Sequence, residues 1–228
     1  HVLGAGVAAL AVSAFFVWPP IPAAEITSYC PQDVQERKVP VAPIEVGTGT
    51  RISDGLLVLY TFQDSADDVS GLVPGLDLEL SGGATVRGGR LRIPDDDGVA
   101  VSAEPAHRIL EAATMSESFT VEAWVRPADL LQRGPARIVS TSESTDLADV
   151  NFHLGQERTC LSFRIKTGPG DVAAWLITEP VFVTAQPAWH IAVTYDRGAI
   201  DVFVDGALSD RFDVNHVPLD DAWDPMLP

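Results

Sequence analysis

The stretch FTVEAWV, from Phe119 to Val125, decides the fold. Every second residue from Phe119 onward is apolar, and Thr120, Glu122 and Trp124 occupy the positions between. Strict alternation over seven residues is typical of a β-strand, because successive side chains of a strand point to opposite faces. Both faces carry bulky side chains, so this strand is predicted to lie in the centre of a sheet.

Short runs of the same kind occur along the rest of the chain and are separated by Gly, Pro, Asp and Ser. They are Leu56 to Phe62, Leu76 to Leu80, Arg137 to Thr141, Asn151 to Gln156, Leu161 to Lys166, Val172 to Ile177, Trp189 to Tyr195 and Ile200 to Val204. Gly88 and Gly89 separate two further runs as a hairpin turn would. One short helix is predicted, from Ala106 to Ala113, because its apolar residues recur at intervals of three and four. The pattern predicts an all-β sandwich of antiparallel sheets.

Six segments, taken in order, resemble the laminin G-like, concanavalin A-like jelly-roll family. They are GLLVLYTFQD (55–64), SFTVEAWVRP (118–127), GPARIVSTS (134–142), NFHLGQ (151–156), WHIAVTYDRG (189–198) and DVFVDGAL (201–208). The resemblance implies two curved antiparallel sheets packed face to face, in a domain over residues 53–228. A further strand follows the Trp223-Asp224 segment in this family. We therefore expect a C-terminal strand beyond Pro228.

The stretch from Val2 to Trp18 is apolar except for Ser13. No charged residue occurs between Val2 and Trp18, and a helix over this stretch would be about 25 Å long, slightly short of a bilayer core of about 30 Å. A single transmembrane helix over residues 1–18 is predicted here, with Trp18 as its anchor at the membrane interface and Pro19 ending it. The core of a signal peptide is the competing interpretation.

The residues just after this segment carry no positive charge. The first basic residue is Arg37, and three acidic residues precede it. Cytoplasmic flanks are enriched in Lys and Arg, so the β-sandwich is predicted to lie outside the cytoplasm. The expected location is the inner membrane of a bacterium, with a cytoplasmic N-terminus and the sandwich in the periplasm.

Residues 19–52 form a proline-rich linker, which predicts an extended segment that serves as a spacer or as a strap laid across a partner. Cys30 lies in this linker and Cys160 in a predicted strand. The two can form a disulfide bond after export, and the sequence leaves that pairing open because it gives no distance between them.

Composition and motifs exclude several functions. The net charge of −17 repels nucleic acids, and no basic run counteracts it locally. Glycosidases on a jelly roll need paired carboxylates, but Glu122 is the only acidic residue of its strand. The histidines lack metal-ligand spacing, and no Gly-x-Ser-x-Gly motif or phosphate-binding loop occurs. We expect no enzyme activity.

Calcium is the remaining candidate cofactor. Asp95 and Asp97 lie before Gly98, and Asp146 and Asp149 lie in a second acidic stretch. Carboxylate oxygens on loops are suitable calcium ligands, although acidic loops are more commonly just solvated. No other cofactor is expected.

Two functions are consistent with these features. The first is a non-catalytic accessory subunit of a multi-subunit membrane complex, whose helix contacts integral membrane subunits and whose sandwich contacts an extracytoplasmic protein surface. The alternative is a tethered carbohydrate-binding or adhesion module, in which Trp175 and Trp223 stack on a glycan while Trp124 and Trp189 belong to the core.

Overall fold

The computed structural model of the chain describes only the backbone for residues 8–12. It describes backbone and side chains for residues 30, 54–93, 98–130, 136–142, 150–168, 173–183 and 188–223. Fourteen strands and two helices lie within these ranges. They are β1 (Ala8–Val12), β2 (Leu56–Leu59), β3 (Leu78–Ser81), β4 (Thr85–Val86), β5 (Leu91–Arg92), β6 (Val99–Ser102), α1 (His107–Ser116), β7 (Ser118–Val125), β8 (Ala136–Ser142), β9 (Val150–Glu157), β10 (Cys160–Lys166), β11 (Ala173–Ile177), β12 (Trp189–Asp196), β13 (Ala199–Val204), β14 (Ala207–Asp213) and α2 (Leu219–Ala222).

Two large sheets form the body of the protein. The six-stranded sheet has the order β14-β13-β12-β7-β1-β2, and the four-stranded sheet has the order β11-β10-β9-β8. Two small two-stranded sheets, β3-β6 and β4-β5, accompany them. The pairings are antiparallel except those of β1, which runs parallel to both of its neighbours. The predicted all-β architecture with two antiparallel sheets is confirmed.

The core lies between the two large sheets. Phe119 of the six-stranded sheet stacks on Phe152 of the four-stranded sheet, with ring centroids 5.0 Å apart. Val121, Ala123 and Val125 point inward beside Phe119 and are buried, as the alternation in β7 requires. Strand β7 pairs with β12 on one side and β1 on the other, so the predicted central position is confirmed.

The prediction of a helix over residues 1–18 is wrong for the five residues that the structure describes there. Ala8–Val12 form strand β1, which lies between β2 and β7. An apolar run without polar alternation is compatible with a strand as well as with a helix, and periodicity alone cannot separate the two. Among the described residues, no helix has the length and apolar character needed to cross a membrane. Trp18, the predicted interface anchor, lies outside the described residues.

Strand β14 was not predicted. Its sequence ALSDRFD has no sustained apolar alternation, and its side chains are exposed or half-buried. An edge strand with one solvated face gives a weak sequence signal, so its pairing with β13 depends on the Asp205-Gly206 turn between them.

Cys30 and Cys160 form a disulfide bond, with Cα atoms 6.0 Å apart. Both residues are buried, and the sulfur of Cys30 lies 3.4 Å from the hydroxyl oxygen of Thr159. The pairing that the sequence left open is therefore present, and it joins the proline-rich linker to the start of β10.

Candidate functional site

A cluster of Glu122, Trp124 and His190 lies on the outer face of the six-stranded sheet. The Nε2 atom of His190 lies 2.8 Å from Oε1 of Glu122. The rings of His190 and Trp124 lie 4.4 Å apart between centroids, with an angle of 31° between their planes. The three side chains therefore form one contiguous group, which we call the Trp124 cluster.

The strand register brings these residues together. In the antiparallel pair of β7 and β12, His190 is opposite Trp124 and Ala192 is opposite Glu122. The small side chain of Ala192 leaves room for the imidazole to reach diagonally across to the carboxylate. The alternation that buries Val121, Ala123 and Val125 places the whole cluster on the solvent side.

The turn between β13 and β14 fixes the backbone of His190. The amide of His190 donates a hydrogen bond to Oδ1 of Asp205 over 3.0 Å. The amide of Asp205 in turn donates to the carbonyl of His190 over 2.8 Å. Asp205 has a φ of 50°, a conformation that Asp tolerates better than most residues. Two hydrogen bonds thus fix the backbone that carries the imidazole of His190.

The cluster is accessible to solvent. Trp124 is 38% exposed, and the side chains of His190 and Glu122 are 27% and 32% exposed. An exposed indole offers a flat apolar surface. Beside it, the carboxylate can accept hydrogen bonds from a ligand, and the imidazole can donate or accept them. Such a group can bind a ligand that has both an apolar face and hydroxyl groups.

The same face continues onto β13 and β14. Half-buried Phe203 lies opposite Ala192, and exposed Leu208 lies opposite Phe203. Arg211 donates two hydrogen bonds to Asp201, of 2.5 and 2.6 Å. These bonds lower the pKa of the Asp201 carboxyl. The cluster is thus bordered by an apolar patch and a fixed ion pair.

The tryptophans predicted to stack on a glycan lie elsewhere. Trp223 is 6% exposed and packs against Phe119 and Phe152, so its position in the core leaves little ring surface for a ligand. Trp175 is half-buried on β11 of the four-stranded sheet, where its Nε1 donates to the hydroxyl of Ser162 over 2.8 Å. The structure does not bring these two residues together.

Trp124 was expected in the core, and that prediction is wrong. The signal that could have placed it was present in FTVEAWV, where Trp124 shares its face with Thr120 and Glu122 and not with the apolar set. The prediction rested on the position of Trp124 within one of the clearest strand motifs, and a strand motif does not by itself say which face a residue is on. Trp189, also expected in the core, is buried there and packs on Phe182.

The four calcium candidates, Asp95, Asp97, Asp146 and Asp149, lie outside the described residues. Within the ranges that the structure describes, no group of three or more His, Cys, Asp or Glu side chains is arranged to hold a metal ion.

Fold and surface together define a two-sheet jelly roll with an accessible aromatic and polar group on one outer face. The sequence profile of the concanavalin A-like lectin/glucanases superfamily, in its laminin G form, matches residues 95–227, which is more than half of the chain. The chain belongs to this superfamily. No curated protein matches it in sequence at a significant level.

Two solved structures are similar to this chain. One was reported under the finding that cell entry of botulinum neurotoxin type C depends upon interaction with two ganglioside molecules. It has a TM-score of 0.54 and 17% identity, over 72% of this chain and 39% of that one. The other, a tryptophan-to-alanine mutant of HCR D/C VPI 5995, has a TM-score of 0.46 and 16% identity, over 70% of this chain and 39% of that one. The chain therefore spans about two-fifths of the length of either structure.

Proposed function

We propose that this protein is a non-catalytic carbohydrate-binding module that binds a neutral saccharide through the Trp124 cluster. The observation that carries the proposal is the exposed indole of Trp124, held beside the hydrogen-bonded pair of His190 and Glu122. Sugar rings have an apolar face of C–H groups and an edge of hydroxyls. An aromatic ring and a carboxylate on one surface complement those two features.

Charge favours a neutral ligand. The chain has a net charge of −17, which repels uronic and sialic acids at long range. The guanidinium of Arg211 on the same face is already bound to Asp201. A neutral saccharide meets no such repulsion, so hexose-based and N-acetylhexosamine-based glycans are the first class to test.

The likeness to botulinum neurotoxin concerns the fold, since the identity is only 17%. The dependence on gangliosides is a property of the toxin. The fold alone does not imply a glycan ligand, so the proposal rests on the Trp124 cluster.

Absence of catalysis is part of the proposal. Retaining glycosidases place two carboxyl groups about 5 Å apart, and inverting ones place them somewhat further apart. Glu122 lies 2.8 Å from the Nε2 atom of His190, an arrangement that suits the orientation of a ligand hydroxyl. Release of reducing sugar from any glycan that the protein binds would contradict this part.

The test is a glycan array followed by calorimetry with the best ligand. Trp124→Ala is expected to weaken binding about tenfold or more, because the stacking surface is lost. Trp175→Ala is the matched control, since it removes a half-buried indole from the other sheet and should leave affinity within about twofold. A blank array with and without calcium, or equal loss in both variants, would overturn the proposal.

We also propose that the protein works outside the cytoplasm. The disulfide bond between Cys30 and Cys160 supports this, because such bonds persist in oxidising compartments. A fusion of the chain to a topology reporter, expressed in the native host, would test the periplasmic location and any membrane attachment through residues 1–18.

The accessory subunit remains a second candidate because one loop presents an apolar tip. Val73 is 94% exposed, and Val69 and Leu72 are also exposed. Exposed apolar groups on an ordered loop suit a protein contact. If the protein is a subunit, a Leu72→Ser, Val73→Ser variant should lose its partner in a mild detergent pull-down while keeping any glycan binding.

A further inference from the structure

The apolar residues beside the Trp124 cluster form a continuous band across the outer face of the six-stranded sheet. His190 lies opposite Trp124 in the pair of β7 and β12, and Ala192 lies opposite Phe203 in the pair of β12 and β13. Leu208 of β14 lies opposite Phe203. The band therefore crosses four neighbouring strands, with Trp124 at one end and Leu208 at the other. We call these four residues, Trp124, Ala192, Phe203 and Leu208, the apolar band.

Phe203 adds a second aromatic ring to this face. Val202, the residue before it in β13, is buried in the core, so the alternation of the strand directs Phe203 to the opposite side of the sheet. Phe203 is half-buried, and Leu208 beside it is 50% exposed. A ligand that contacts the indole of Trp124 can thus find a further aromatic contact on the same face.

The two aromatic residues are too far apart for a single sugar ring to contact both. Phe203 is displaced from Trp124 by two strand spacings across the sheet and by two residues along it. With strands about 4.8 Å apart and residues about 3.4 Å apart, their Cα atoms are about 12 Å apart. Adjacent rings of a saccharide lie closer together than this. A ligand must therefore be longer than a disaccharide to place one ring on each aromatic residue.

Polar side chains border the apolar band on both sides. Thr120, Thr194 and Asp201 lie side by side on β7, β12 and β13, and all three are half-buried. On the other side lies His190, whose imidazole extends toward Glu122. Hydroxyl, carboxylate and imidazole groups can form hydrogen bonds with the hydroxyls at the edges of a sugar ring. The face therefore offers aromatic contacts to the rings of a saccharide chain and polar contacts to its edges.

Charge and shape narrow the class of saccharide. The basic side chains of His190 and Arg211 each lie beside a carboxylate, that of Glu122 and that of Asp201. Together with the net charge of −17, this favours a neutral chain over an acidic one. A band that crosses successive strands suits an extended chain. Chains of glucose or N-acetylglucosamine are extended when their linkages are equatorial, whereas axial linkages make them curve.

We propose that the apolar band binds an extended, neutral oligosaccharide of at least three sugar units, with one ring on Trp124 and another on Phe203. This inference rests on the proposed saccharide binding. It adds the length and the shape of the ligand, and it assigns to Phe203 the preference for longer chains.

Calorimetry with cello-oligosaccharides and chito-oligosaccharides of two to four units tests the inference. For the wild type we expect the tetrasaccharide of at least one series to bind about tenfold more tightly than the disaccharide, because only the longer chain reaches Phe203. Malto-oligosaccharides, which are curved chains of glucose, should gain less than about threefold over the same lengths. An equal gain in the malto-oligosaccharides would contradict the preference for an extended chain.

Two variants of Phe203 separate the aromatic contact from the fold. Phe203→Leu keeps an apolar side chain, so the protein should fold, but it should lose most of the gain with length while affinity for the disaccharide stays within about twofold. Phe203→Tyr keeps the ring and should keep the gain. Trp175→Ala, which removes a half-buried indole from the other large sheet, is the matched control and should also keep it.

The outcomes distinguish this inference from the proposed saccharide binding. If affinity for both series does not rise with chain length, or if the gain survives in Phe203→Leu, the inference is overturned. The proposed saccharide binding still stands in that case, provided that Trp124→Ala weakens binding of the short ligand. If no saccharide on the array binds, both are overturned.

Discussion

At the scale of single residues, His153 and Gly155 depend on each other. They lie two positions apart on the outward side of β9. A Cβ atom on Gly155 would lie 2.5 Å from Nε2 of His153 and 2.7 Å from the carbonyl oxygen of Ala136. The imidazole therefore occupies the volume that any side chain at position 155 would need. Glycine is needed at position 155 because a larger side chain would collide with His153, and not because the backbone must be flexible there.

His153 predicts an acid-sensitive stability. Burial, together with the charges of Arg137 and Arg164, lowers the pKa of His153 to about 3 from the ordinary value of 6.5. Between these values the unfolded chain binds a proton that the folded protein does not. The free energy of unfolding therefore falls as the pH falls from 6.5 toward 3, by up to about 1.4 kcal/mol per pH unit from this group.

Urea unfolding at pH 7, 6, 5 and 4 checks this expectation. A His153→Gln variant cannot take up the proton, so its stability should fall less steeply than that of the wild type. His107→Gln, on the exposed start of α1, is the matched control and should keep the wild-type slope. Parallel pH profiles for the wild type and His153→Gln would contradict the assignment.

At the scale of elements, the loop between β2 and β3 is built around one buried carboxylate. Asp68 accepts hydrogen bonds from the amides of Leu59, Ser70 and Leu76 and forms an ion pair with Arg108 of α1. Burial acts to raise the pKa of Asp68, but these amide hydrogen bonds outweigh it and hold the pKa below 3.8. The loop that presents Val73 is thus fixed from within.

Asp68→Asn should destabilise the protein by about 2–4 kcal/mol at pH 7, because Arg108 loses its counter-charge and at least one amide loses its acceptor. A carboxyl group whose pKa is lower in the folded protein than in the unfolded chain stabilises the folded protein above its ordinary pKa. This stabilisation is lost as the pH falls through the folded pKa. The difference between wild type and variant should therefore shrink below about pH 4. Exposed Asp64→Asn, measured by the same urea titration, should change stability by under about 0.5 kcal/mol.

Elements whose own sequence carries a clear pattern were predictable. Elements that depend on pairing with distant segments of the chain were not. The alternation of β7, the hairpin at Gly88-Gly89 and the short helix were found close to their observed bounds. Strand β1 was missed, since its identity depends on neighbours more than forty residues away. Glu122 and His190 were each judged singly, and only the register of β7 with β12 makes them a pair. Trp124 differs from these cases, because the alternation in FTVEAWV already placed it on the same face as Thr120 and Glu122.

At the scale of the whole molecule, the disulfide closes a loop of 130 residues between the linker and β10. Cross-linking so distant a pair restricts the unfolded chain strongly, so its removal should lower the free energy of unfolding by about 2–5 kcal/mol. The Cys30→Ser, Cys160→Ser variant should unfold at lower urea than the oxidised wild type. Reductant should shift the wild type toward the variant and leave the variant unchanged. Identical midpoints with and without reductant would contradict this.

The place of β1 has a consequence for the time course of biosynthesis. Ala8 pairs with Phe119, so β1 can complete this pairing only after more than a hundred further residues have been synthesised. At ribosomal rates of about 5–20 residues per second, that wait lasts roughly 6–20 seconds. During this time the apolar segment that forms β1 lacks its partner β7. A newborn chain with such a delay is a natural client for holding chaperones, and its yield should depend on them more than its final stability suggests.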